Sequence, residues 1–107
     1  MTGLVTVYAV FADAAEAERV ARNVVDDKLA ACANILAPCR SIYRWQGTVK
    51  MAEEVPALFK TRADLADALV ARIAALHGYE VPAAAAWSVT AAHPPYADWV
   101  ADNTRSA

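Results

Sequence analysis

The chain is poor in the residues from which nucleotide pockets, disulfide scaffolds and metal cages are built. Three glycines, Gly3, Gly47 and Gly78, in 107 residues leave no glycine-rich loop to wrap backbone N–H groups around phosphates. Two cysteines, Cys32 and Cys39, make no disulfide framework and point to a reducing cytoplasm. The two histidines, His77 and His93, stand far apart, and a single imidazole holds no metal with useful specificity. No stretch approaches the ~18–20 apolar residues of a membrane-crossing helix. Ten basic residues against twelve acidic ones, a net charge of -2, argue against the basic face of a general nucleic-acid binder. There is no nucleophile elbow and no Ser-His-Asp order with supporting context, so an enzyme is not expected.

What the chain does have is alanine. The hydrophobic fraction is 58%, but alanine supplies 27 of those 62 residues. Alanine favours helix and buries little area. At this length residues 1–107 make one domain, with no room for a second core. So thin a supply of bulky side chains gains from burying surface against other copies, which points to an oligomer.

The elements can be read in order. Leu4 to Phe11 is short, β-branched and aromatic, a buried strand. Asp13 and Glu16 form a capping pattern for a helix with Ala17, Val20, Ala21, Val24, Val25 and Leu29 on one face, ending near Ala30. Glu18 can pair with Arg22 on another face. Cys32 to Trp45 reads as extended, bent or bulged at Pro38. Gln46-Gly47 turns it into a second long strand, Thr48 to Thr61, whose Pro56 suggests an edge or a bulge. A second helix, capped by Thr61 with Asp64 at its third position, buries Leu65, Leu69, Ile73 and Leu76. Gly78 offers a left-handed stop. Val81 to Thr90 is a fourth strand, ended by Pro94-Pro95, and Tyr96 to Asn103 a terminal helix.

The sum is an α+β, ferredoxin-like βαββαβ pattern: an antiparallel sheet, a long central hairpin and a C-terminal helix. Both connecting helices cover one sheet face, so the other must be polar or find cover.

Two segments carry a family signature. Leu29-Ala-Ala-Cys32-Ala-Asn34-Ile, followed by Tyr43-Arg-Trp45-Gln-Gly47, resembles the corresponding stretch of the CutA family, the divalent-cation tolerance proteins. His77-Gly-Tyr79-Glu80-Val-Pro82 is similar to the same family's histidine-tyrosine-glutamate-valine-proline motif. The resemblance implies the ferredoxin-like fold, a compact homotrimer with inward-facing sheets and reaching hairpins, and a plan shared with PII-like signalling proteins. It also implies a part in tolerance or response to divalent metal ions, copper above all. Gly78, where the family commonly has proline, and Ala83, in place of an acidic residue, depart from the pattern.

Each candidate residue has a sharp and a bland reading. Cys32 is a soft donor suited to copper, or a small buried filler. His77 is a copper ligand, or a helix-end residue favoured by the dipole. Glu80 lies close enough in sequence to His77 to share an ion, although Gly78 breaks the helix between them. With Cys32 these make the metal set His77, Cys32 and Glu80, for copper(II) or another divalent ion and with no cofactor required. Tyr43, Trp45, Lys60, Tyr79 and Glu80 make a second set. They read as an inter-subunit cleft with one charge of each sign, either a pocket for a small molecule or protein partner or simply an interface. His93 reads as exposed and Cys39 as incidental.

Overall fold

The structure, a computed structural model, describes residues 2–107. Strand β1 (Leu4–Phe11) leads into helix α1 (Ala14–Asp26), and β2 (Cys32–Ile35) and β3 (Cys39–Trp45) run back towards a tight turn. The long strand β4 (Thr48–Arg62) and a 3-10 turn (Ala63–Leu65) precede helix α2 (Ala66–Leu76), strand β5 (Ala84–Ser88) and helix α3 (Pro94–Asp102). The strands order β2-β4-β1-β5, every pairing antiparallel, with β3 paired to β4 beyond that path. This is the expected ferredoxin-like arrangement with its long hairpin.

Alternation along the strands decides the layers. Val5, Val7, Ala9 and Phe11 of β1 and Val55, Ala57 and Phe59 of β4 point to one face and pack with Val20 and Val24 of α1 and Leu69 and Ile73 of α2. Phe11 and Phe59 meet edge to face at 6.4 Å and are wholly buried. Truncating either to alanine costs about 3–5 kcal/mol. On α1, the Asp13 carboxylate accepts from Glu16 N–H at 2.8 Å, and Glu18 pairs with Arg22 at 3.5 Å.

Several boundaries differ from the sequence reading, each for a local reason. Helix α1 ends at Asp26, not Ala30, because Lys28 takes a left-handed φ of 58°; Leu29 is buried from the turn beyond it. Thr61 does not cap α2: it belongs to β4, and its hydroxyl donates to Leu29 C=O at 2.6 Å. Asp64 instead bonds the Arg62 guanidinium, which lowers its pKa. Gly78 is not in the left-handed region; the positive-φ glycines are Gly3 and Gly47. Pro56 sits in a central strand rather than at an edge. Its carbonyl faces the Leu36 N–H, so its missing donor lies on the same side, where three residues (36–38) bulge opposite two (55–56). The fourth strand shortens to Ala84–Ser88, and Pro94-Pro95 open α3 instead of only ending what precedes it.

On the second sheet face, Val100 of α3 packs on Leu4 and Ala31 at one end. Farther along, Tyr8 lies 6.0 Å from Trp87, whose side is half exposed. Beyond the bulge, β3 and the first half of β4 stand out as an arm, closed by Gln46-Gly47 with φ of 50° and 79°. Two consecutive positive φ values are those of a type I′ hairpin turn. Cross-strand partners Ile42 and Met51, 73% and 66% exposed, share one face of the arm with Val49. So much bare apolar surface on a slender hairpin is not stable on its own.

Candidate functional site

The site is built where the arm leaves the sheet. Chain direction changes sharply after α2: His77 is extended (φ -74°, ψ 146°) and brings residues 77–80 across the end of the sheet. The imidazole stacks on Phe11 at 4.8 Å with 13° between planes. One ring nitrogen, Nδ1, accepts from Tyr79 N–H at 3.0 Å, and the other lies 2.6 Å from Val10 C=O. A peptide N–H only donates and a carbonyl only accepts. The ring is therefore neutral, its hydrogen on Nε2 donated to Val10 and its Nδ1 lone pair used by Tyr79. Both nitrogens are occupied in a residue only 9% exposed.

Glu16 fixes the next residue. Its carboxylate accepts from Ala12 N–H at 3.2 Å and from Gly78 N–H at 2.8 Å. A Cβ on Gly78 would stand 2.6 Å from that carboxylate, so a side chain here would push the Glu16 carboxylate aside, whereas no left-handed backbone is involved.

Tyr79 then reaches back, and its hydroxyl donates to Glu54 Oε2 at 2.8 Å. Burial, aided by the Glu54 carboxylate, pushes the Tyr79 pKa up to about 12. Around this contact lies a cleft of about 490 Å³ lined by Tyr43 and Trp45 of β3, Glu54 of β4, Tyr79, Glu80 and Val81. In β3, residues 39, 41, 43 and 45 share one face, which puts both aromatics on the cleft side and Ile42 on the other.

Of the residues expected in the cleft, Tyr43, Trp45, Tyr79 and Glu80 meet there and Lys60 does not. The Lys60 ammonium instead hydrogen-bonds Asn34 across β2. Glu54 was not singled out from the sequence. Its only signal is parity, since an acid two residues before Pro56 and four before Leu58 shares their face, the one turned away from the helices.

The metal set is scattered within one chain. Glu80 is at the cleft and His77 beneath it. Cys32 is paired with Lys60, which faces Thr6. Val10 lies four positions along β1 from Thr6, about 13 Å along the strand. The Cys32 thiol instead lies 3.7 Å from the Tyr96 hydroxyl, and burial and that thiol push Tyr96 up to about 12. Among the described residues no three His, Cys, Asp or Glu side chains cluster closely enough to hold a metal. Cys39 lies 3.8 Å from the Ser41 hydroxyl, and both thiols are free. No helix among the described residues is long and apolar enough to cross a membrane.

Comparison with known proteins places this geometry. Residues 5–103 match the CutA1 divalent ion tolerance protein family model. The chain is 37% identical over 102 residues to the divalent-cation tolerance protein CutA of Pyrococcus horikoshii, covering 95% of this chain and 99% of that one. It is 39% identical over 90 residues to mouse protein CutA, covering 84% of this chain but about half (51%) of the mouse protein. The crystal structure of CutA from Xylella fastidiosa superposes with a TM-score of 0.93 at 33% identity, over 96% of this chain and 99% of that one. Relatives' names place them variously, the rice and Arabidopsis proteins as chloroplastic and the Archaeoglobus fulgidus one as periplasmic. With a family match over nearly its whole length, the chain belongs to the CutA1 divalent ion tolerance protein family.

Proposed function

We propose that this protein acts in divalent-cation tolerance as a non-enzymatic homotrimer, and that its arm-root cleft receives a ligand at a boundary between subunits. The observation that carries the reading is the cleft itself. Three separate segments converge on one apolar-walled space with a nearly buried carboxylate, beside an arm whose outer face is bare. A pocket of a few hundred cubic ångströms with few polar groups is the usual form of a small-ligand site. An exposed Ile42–Met51 stripe is the usual form of a surface awaiting a partner, here a second copy of the chain.

Copper(II) is the ion this reading favours, since it heads the divalent affinity order. Within one chain, Glu80 is the expected ligand that stays open to it, while His77 is committed to Val10 and Tyr79. Copper binding through Cys32 then takes donors from a neighbouring subunit. Residues 1–107 act as one domain, and the two free thiols favour the cytoplasm.

Copper titration of wild type, Glu80→Ala and Cys32→Ser, with mass measurement of the assembly, tests this. Trimeric mass and reduced copper affinity in either variant are expected. A monomeric protein, or copper uptake indifferent to both changes, removes the reading. Thermal-shift comparison of metals with small metabolites separates the cation from an organic ligand: stabilisation by metabolites alone would favour a PII-like sensor.

A further inference from the structure

The cleft at the arm root is acidic without a counter-charge. Glu54 is 7% exposed, and its one hydrogen bond comes to Oε2 from the Tyr79 hydroxyl. Among the described residues no Lys, Arg or His forms an ion pair with it, and no basic side chain lines the cleft. Glu80 adds a second carboxylate at the rim. Lys60, the cation expected there from sequence, is turned to Asn34. A carboxylate taken this far out of water is costly unless a cation joins it.

The walls point the same way. Tyr43, Trp45 and Tyr79 present aromatic rings, whose negative faces attract positive charge. Without donors from a neighbouring subunit a bare metal ion is a poor occupant, because it wants several oxygen or nitrogen donors and the described residues offer no three-ligand cluster. An alkylammonium group wants one carboxylate and surrounding rings. The volume of about 490 Å³ suits a molecule of that size.

We infer that the arm-root cleft recognises a small organic cation, an alkylated ammonium whose charge sits against Glu54 and whose carbon groups sit against Tyr43, Trp45 and Tyr79. This rests on the cleft being a ligand site and adds the chemical class of the ligand.

The test uses the intact assembled protein with choline, its uncharged carbon isostere dimethylbutanol, and butyrate. Binding is read at the Trp45 indole N–H by nuclear magnetic resonance. Choline is expected to shift that signal saturably, and dimethylbutanol to bind about tenfold more weakly or not at all. Glu54→Gln, which keeps an acceptor for Tyr79, is expected to weaken choline about tenfold. Equal binding of choline and dimethylbutanol, or unchanged choline binding in Glu54→Gln, overturns the cation inference and leaves the cleft a ligand site. Butyrate binding with choline silent does the same. If no probe moves Trp45 the inference fails, and the copper titration then judges the cleft separately. Should Glu54→Gln not fold, Glu80→Gln and the salt dependence of wild-type binding decide. Choline affinity indifferent to both overturns the inference.

Discussion

Replacing His77 by alanine distinguishes a structural histidine from a metal ligand. The change removes a stack on Phe11 at 4.8 Å and two hydrogen bonds, to Val10 C=O and from Tyr79 N–H. The stack is worth about 0.5–1.5 kcal/mol. Each hydrogen bond contributes about 1 kcal/mol net, and stranding the buried Val10 carbonyl adds about 1 kcal/mol or more. The sum is about 3.5–4.5 kcal/mol, a large part of the ~5–15 kcal/mol that holds a typical domain folded. His77→Phe keeps the stack and should recover about 1 kcal/mol. The assay is denaturant unfolding at one fixed protomer concentration, because subunit association adds to apparent stability by mass action. For a chain of this size a 3 kcal/mol loss lowers the melting temperature by roughly 12 °C or more. An alanine variant within about 0.5 kcal/mol of wild type, the usual range for an inconsequential surface change, that had also lost copper uptake would refute the reasoning.

Three further outcomes follow from local geometry. Tyr79→Phe should remove one late-titrating tyrosine from the tyrosinate absorbance curve. With its pKa raised from 10.0 to about 12, the hydroxyl's contribution to stability is complete below pH 10 and is lost as pH rises through the folded value; an unchanged curve would contradict this. Gly78→Ala should cost about 1–2 kcal/mol by displacing the Glu16 carboxylate from its two N–H donors. The added cost should shrink when Glu16 is already alanine, and additive effects in that double-mutant cycle would show no contact between them. Lys28→Gly, at φ 58°, should raise stability by about 0.5–1 kcal/mol in thermal unfolding, and a lower melting temperature would count against a strain-relief effect.

The sequence by itself determined the order of elements and the faces they bury. Those signals are local: a short β-branched and aromatic run in Leu4–Phe11, a helical stripe through Ala17, Val20 and Val24, and a turn at Gln46-Gly47. It also marked Tyr43, Trp45, Tyr79 and Glu80 as belonging together, although only through two family motifs far apart in the chain. Where a residue had two partners within reach, the sequence did not decide between them. Thr61 bonds Leu29 instead of capping α2, and Lys60 bonds Asn34 instead of entering the cleft. Both choices follow from the β2–β4 register, which sets Cys32 opposite Lys60. The tertiary structure alone showed that His77 uses both nitrogens on the backbone, that about 13 Å of strand separates its neighbour Val10 from the level of Cys32, and that Glu54 lies at the cleft floor. Helix and strand come from neighbours along the chain, whereas the charge in the cleft depends on which distant side chains the folded sheet brings to one face.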